Sequence, residues 1–195
     1  MEIIKIIDVF RNEGVKKCVA DAIKNGKIFV YPTDTVYGIG CNVENIENVK
    51  KIYEAKKRPI NKPFSIIVPS KEWIFEHTKV SDVNKKFIDN LLPGPYTIIL
   101  KAKELPDIPK IIVSDKNTIG VRIPKNEFTD FIRQQEVIFI TTSVNLSEEE
   151  PVTKIDEIPE SIKKIVDYAI DSGVLDNQPS RIFDLTTDDI KIVRY

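Results

Sequence analysis

The sequence predicts an α/β protein built on a twisted, mixed β-sheet flanked by helices. Three observations carry this. Short apolar runs rich in Ile, Val and Phe alternate with stretches whose apolar residues recur at helical spacing. Strands and helices follow one another without a strict strand–helix–strand repeat, which argues against a doubly wound parallel sheet. Finally, 195 residues, 42% of them hydrophobic, suffice for one ordinary core, so residues 1–195 are expected to form a single domain.

The elements follow in order. Val15, Cys18, Val19, Ala22 and Ile23 share a helical face, and Asn25-Gly26 closes that helix. Residues 27–31 read as a strand. Ile46, Val49, Ile52 and Tyr53 mark a second amphipathic helix that ends near Lys57, before Arg58-Pro59. Residues 64–68 form a buried-type strand. Val83, Phe87, Ile88, Leu91 and Leu92 give a helix stopped by Pro93-Gly94-Pro95. Strands are expected at 96–100 and 118–123, then a short helix carrying Phe128, Phe131 and Ile132. Residues 137–142 form a strongly apolar strand. Ile162, Ile165, Val166 and Ala169 predict a late helix, and residues 181–185 and 190–194 close the chain as strands.

Composition excludes several classes. A net charge of -1 and a pI near 6.0 give no global basic field for nucleic acid. No apolar run reaches the roughly 18 residues of a membrane span. Met1-Glu2-Ile3-Ile4-Lys5 does not read as a signal peptide. Cys18 and Cys41 alone make a disulfide framework a poor reading, so a reducing, cytoplasmic setting is expected. The single His77 leaves no His cluster for a metal and no obvious Ser-His-Asp triad.

The most informative stretch is residues 31–41, Tyr-Pro-Thr-Asp-Thr-Val-Tyr-Gly-Ile-Gly-Cys. Small hydroxyl residues and glycines after an apolar run pack poorly and suit a polar binding loop. Other apolar runs end similarly: one in Arg122, one in Thr141-Thr142-Ser143-Val144-Asn145, while Pro179-Ser180 precedes another. If these ends converge, they form a cleft able to hold a small zwitterion, with Arg on a carboxylate and hydroxyls on an ammonium. Residues 56–63, Lys-Lys-Arg-Pro-Ile-Asn-Lys-Pro, cluster cations on a stiffened loop suited to polyphosphate, and Arg194 could add another cation. Taken singly, each signal has a plainer reading. Pro-Thr-Asp-Thr is a common turn, a Lys/Arg loop is usually a solvated face, and Arg122 could be a structural ion pair. His77 beside Trp73 and Cys41 in its apolar run read as packing residues.

Together, in order, Pro32-Thr33-Asp34-Thr35-Val36-Tyr37-Gly38, Lys56-x-Arg58-Pro59 with Lys62-Pro63, Gly120-Val121-Arg122-x-Pro124, Ser143-x-Asn145, Pro179-Ser180 and Val193-Arg194 resemble the signature of the YrdC family. The resemblance spans roughly residues 15–194, and its members are threonylcarbamoyl-AMP synthases. It implies helices around a concave, positively charged cleft. It also implies that L-threonine, bicarbonate (or CO2) and ATP give threonylcarbamoyl-adenylate and pyrophosphate. A downstream tRNA threonylcarbamoyl transferase complex would then modify adenosine 37 of tRNA. Carried over by position, Thr35, Tyr37, Thr118, Arg122, Ser143 and Ser180 would contact threonine. Lys56, Arg58, Lys62, Asn145, Thr153 and Arg194 would contact ATP. Mg2+ would arrive with ATP. No residue is assigned as catalytic, because adenylation depends on charge neutralisation and alignment.

The chain departs from that pattern in places. Lys62 stands where many members have Asn, and Ile67 where some have His. Ser147-Glu148-Glu149-Glu150 replaces a usual Ser-Gly, Arg181 replaces a common Thr, and no Gly follows Arg194. The alternative reading from a different class is a double-stranded RNA-binding or ribosome-associated module using the same basic cleft; a weak RNA contact would also be compatible with the main reading.

Overall fold

The computed structural model describes residues 1–106 and 108–195. The chain opens with strand β1 (Glu2–Lys5), helix α1 (Ile6–Arg11) and helix α2 (Glu13–Lys24). The Asn12 side chain caps α2, accepting from the backbone N–H groups of Gly14 and Val15, and Gly26 at φ 70° ends it. Then come β2 (Phe29–Tyr31), β3 (Gly38–Gly40), α3 (Ile46–Ala55), β4 (Ser65–Ile67), α4 (Lys71–His77) and β5 (Thr78–Lys79). They are followed by α5 (Asp82–Leu91), β6 (Tyr96–Ala102), β7 (Thr118–Arg122), α6 (Glu127–Arg133) and β8 (Phe139–Ser143). The chain closes with α7 (Glu160–Lys163), β9 (Tyr168–Asp171), β10 (Arg181–Asp184) and β11 (Lys191–Arg194).

Among the described residues the strands form one sheet in the order β1-β9-β2-β3-β8-β4-β7-β6-β10-β11, with β5 beside β6. The expected mixed sheet is present. β1 and β2 flank β9 in parallel, β4 runs parallel to β7 and β6 to β10, while the β2/β3, β3/β8, β4/β8 and β6/β7 pairs are antiparallel.

Side-chain alternation explains where the site lies. Val30, Ile39, Ile66, Ile98, Val121, Ile140 and Ala169 point to one face and join the larger apolar core with α3. Phe29, Tyr31, Ile67, Phe139 and Ile170 point to the other face, under α1, α2 and α6. Those helices cover only part of that second face. By the same alternation Gly38, Ser65, Thr97, Gly120, Arg122, Thr141, Ser143 and Ile182 also project there, beyond the apolar cover. The polar residues are the uncovered continuation of a buried face.

Two expectations are corrected. The late helix stops at Lys163, and Ala169 lies in β9, where pairing between β1 and β2 overrides the helical spacing. The 31–41 segment is only partly loop, since β3 sits within it. β1, α1, α4 and β5 are further elements that the apolar pattern did not mark. His77 stacks on Trp73 at 4.3 Å between centroids, a packing role as expected.

Candidate functional site

The uncovered part of the second face forms a cleft of about 190 Å3. Its walls include Thr33, Thr35, Tyr37, Gly38, Arg58, Ser65, Thr97, Arg122, Thr141, Ser143, Ser180 and Arg194. The volume is below the roughly 300–1,000 Å3 of pockets for drug-sized molecules and suits a smaller polar ligand. Beyond Thr35 and Pro179 a second hollow opens, lined by Tyr96, Asn177, Gln178, Arg181 and Tyr195.

The 31–41 segment is positioned by its own polar groups. Thr33 Oγ1 donates to Val36 O at 2.7 Å and accepts from Thr35 N at 3.0 Å. With its one proton so used, Thr33 must accept from Thr35 Oγ1 across their 2.9 Å contact. Thr35 Oγ1 also accepts from Arg122 Nη2 at 3.3 Å, so its remaining lone pair is what it can offer the cleft. Asp34 pairs with Arg122 Nη2 at 3.0 Å, both side chains being under a tenth exposed. Glycine at 40 is required because a Cβ there would run into the carbonyl of Ile140 on the facing strand β8. Tyr31 donates to that same carbonyl at 3.1 Å, and burial raises the pKa of its phenol, keeping it a neutral donor.

Arg122 Nε and Thr141 Oγ1 are buried without a hydrogen-bond partner among the described residues, and both residues belong to the cleft wall. Buried polar groups are normally paired, so two orphans in one cleft point to a ligand that completes them. Burial lowers the pKa of the Arg122 guanidinium and Asp34 opposes this. Ser143 Oγ donates to Asn145 Oδ1 at 2.6 Å and therefore also presents lone pairs. At the far wall, Ser180 Oγ contacts Thr97 Oγ1 at 2.8 Å, and the Arg194 guanidinium donates twice to Ser180 O. The Tyr37 phenol donates to Gly173 O at 2.7 Å and accepts from Ser172 N at 3.0 Å, which ties its ring in place beneath the cleft.

The basic loop starts where α3 ends. Lys57 N and Arg58 N donate to Glu54 O and Tyr53 O, a closing turn that puts Lys57 at φ 52°. The turn sends Lys56 and Arg58 in different directions. Arg58 Nε and Nη2 donate to Lys62 O and Pro63 O, and the guanidinium lies 5.2 Å over the Phe64 ring at the cleft wall. Lys56 turns inward and is 2% exposed. Its ammonium donates to Ser143 O at 2.6 Å, Asn145 O at 2.7 Å and Asn145 Oδ1 at 3.1 Å. Burial, then the nearby Arg58, push its pKa down to about 7, while only the protonated form can serve all three acceptors.

Thr35, Tyr37, Arg58, Arg122, Ser143, Ser180 and Arg194 thus meet in one cleft, a convergence that the sequence alone leaves conditional. Five expected contacts do not line it. Lys56 directs its ammonium to the end of β8 and the loop after it, at Ser143 and Asn145, and not into the cleft. Asn145 lies behind Ser143 with its amide donating to Glu149 O. Thr118 begins β7 while Arg122 ends it, about 13 Å away at strand rise. Its hydroxyl pairs with Ser114. Thr153 is turned to Glu157, and Lys62 is exposed, contributing its carbonyl to Arg58. The residue reading missed Asp34 and Thr97 as wall partners and Thr141 as an orphan donor. The run of hydroxyls at the end of β8 was the signal available for Thr141.

Fold and cleft define an α/β protein with a polar hollow lined by hydroxyl and guanidinium groups. The chain belongs to the Sua5/YciO/YrdC family, whose model, described as "Telomere recombination", matches residues 21–195. A provisionally named threonylcarbamoyl-AMP synthase of Methanocaldococcus jannaschii is 43% identical over 197 residues, covering 97% of this chain and 92% of its own. The crystal structure of Pyrococcus abyssi Sua5 complexed with L-threonine superposes with a TM-score of 0.83 at 28% identity. It covers 99% of this chain, which spans 56% of that longer protein. Escherichia coli YciO superposes with a TM-score of 0.84 at 26% identity, over 94% of this chain and 89% of its own. No helix among the described residues is long and apolar enough to cross a membrane.

Proposed function

We propose that the chain is an L-threonylcarbamoyladenylate synthase, a nucleotidyltransferase that joins L-threonine, bicarbonate or CO2, and ATP, releasing pyrophosphate. The observation that carries this is the complementarity of the cleft. Unpaired donors at Arg122 Nε and Thr141 Oγ1 suit a carboxylate, and the free lone pairs of Thr35 and Ser143 suit an ammonium or hydroxyl. The Pyrococcus relative holds L-threonine, which carries all three groups. Tyr37 and Ser180 wall the amino-acid site, while Arg58 and Arg194 face the phosphates. Lys56 and Asn145 shape the Ser143 wall. In this reading the threonine amine becomes a carbamate, whose oxygen attacks the α-phosphate as pyrophosphate leaves. The protein contributes alignment and positive charge.

Mg2+ enters as part of the substrate, bound to ATP phosphates and water. The carboxylate beside the cleft, Asp34, is occupied by Arg122 and by Lys125 N, so it is not a free metal ligand. The product, in a reducing cytoplasm, would pass to a tRNA threonylcarbamoyl transferase complex. Arg122→Ala tests the reading. It should abolish threonine-dependent pyrophosphate release while circular dichroism still shows a folded protein. Unchanged kinetics would remove the carboxylate clamp, and salt-sensitive RNA binding indifferent to threonine and ATP would favour an RNA-binding module.

A further inference from the structure

We propose that Asp34 is the positioning residue of the cleft, holding Arg122 so that its unpaired N–H edge faces the ligand carboxylate. The inference rests on the threonine-binding reading above and adds a residue with no role in it. Asp34 Oδ1 accepts from Arg122 Nη2 at 3.0 Å and Asp34 Oδ2 accepts from Lys125 N at 2.9 Å. One carboxylate therefore grips the guanidinium and the backbone just beyond β7, the strand that carries it. Thr35 Oγ1 takes a further contact from the same Nη2, and its own proton is fixed by Thr33. The Nη2 group is thus pinned from two sides by the 31–41 segment, while Nε stays buried at the cleft wall with no partner among the described residues.

Two roles for Asp34 make opposite predictions. A simple counter-ion competes with the incoming carboxylate, so neutralising it strengthens binding through the freed positive charge. A positioning residue does the reverse: without it the long Arg122 side chain regains its rotamer freedom, and the ordering must be supplied by the ligand. The structure favours positioning, because Asp34 holds Nη2 and leaves Nε for the ligand, and because it is itself anchored to Lys125 N.

The test is titration calorimetry of the full chain and two variants with L-threonine, L-threoninamide and a non-hydrolysable ATP analogue. Asp34→Asn is expected to weaken L-threonine binding about tenfold, the worth of one charge-assisted contact, although the cleft becomes more positive. Asp34→Glu keeps the charge but lengthens the side chain, so it cannot hold both contacts unchanged and should weaken L-threonine severalfold. L-Threoninamide, lacking the carboxylate, should bind weakly and equally to all three proteins, and the ATP analogue should be unaffected. Tighter or unchanged L-threonine binding by Asp34→Asn overturns the proposal. So does a parallel loss of ATP-analogue affinity, the mark of a merely structural role. Should Asp34→Asn fail to fold, unchanged affinity in Asp34→Glu overturns it and a selective loss supports it. A flat L-threonine titration of the unsubstituted protein is a different result; it overturns the functional reading and this inference with it.

Discussion

Lys56→Met separates a structural cation from a ligand-binding one. In the native protein the Lys56 ammonium serves three oxygens at 2.6, 2.7 and 3.1 Å, two of them backbone carbonyls, of Ser143 at the end of β8 and of Asn145 just beyond it. Asn145 Oδ1 would keep its bond from Ser143 Oγ, but the carbonyls of Ser143 and Asn145 would lose their lysine donor. A buried acceptor left unpaired costs about 1–3 kcal/mol, hence roughly 2–6 kcal/mol for two. Methionine fills much of the same volume and removes the cost of burying an ammonium, which offsets part of the loss. A net destabilisation of about 2–3 kcal/mol follows. For a chain of this size that lowers the thermal midpoint by about 4–12 °C. Differential scanning calorimetry measures it directly. Arg58→Ala is the control: Arg58 donates to Lys62 O and Pro63 O within its own loop, so the midpoint should move little while ATP-analogue affinity falls about tenfold or more. The reverse pattern, a stable Lys56→Met protein that no longer binds the nucleotide, would refute the inward-lock reasoning and restore a direct phosphate contact.

Two further predictions test other parts of the site. Thr141→Val removes an unpartnered buried hydroxyl at nearly constant volume, so stability of the ligand-free protein should hold or rise, while L-threonine affinity falls about tenfold. A clear drop in denaturant midpoint would show that the hydroxyl already had a partner. Cys41 is fully buried and its thiol is pushed up to about 12, first by burial and then by Asp167, whereas Cys18 is exposed. Iodoacetamide on the native protein should add one label, at Cys18, by intact mass and peptide mapping. Labelling of Cys41 at a comparable rate would contradict its packing.

The parts of the fold legible in the sequence were those decided locally. α2 declared itself through one apolar face and the Asn25-Gly26 stop. α3 did so through Val49, Ile52 and Tyr53, with its end correctly placed before Arg58-Pro59. What stayed hidden depended on distant partners. Gly38-Ile39-Gly40 has little strand propensity of its own and is a strand because β2 and β8 lie on either side. Ala169 continues a helical spacing, yet the parallel register with β1 and β2 claims it. β1 and α1 are short and largely exposed, so their apolar pattern is thin.

The site divides the same way. Thr35, Arg122, Ser143 and Ser180 sit where apolar runs give way to polar residues, a local signal that their side chains leave the core. The inward turn of Lys56 continues the buried Val49 and Ile52 face of α3, since Lys56 keeps helical geometry and its N–H donates to Ile52 O; its polar side chain hid that periodicity, and only the positive φ of Lys57 breaks it. Thr118 and Arg122 share a strand and a sheet face, but spacing alone does not say that the cleft ends before reaching Thr118.

The most direct measurement is pyrophosphate release by the purified chain with ATP and bicarbonate, with and without L-threonine, alongside mass spectrometry of the adenylate formed. The account predicts release that requires L-threonine, falls sharply with L-valine, which lacks the hydroxyl, and yields threonylcarbamoyl-AMP. Release indifferent to the amino acid, or none under conditions where L-threonine is shown to bind, would contradict it.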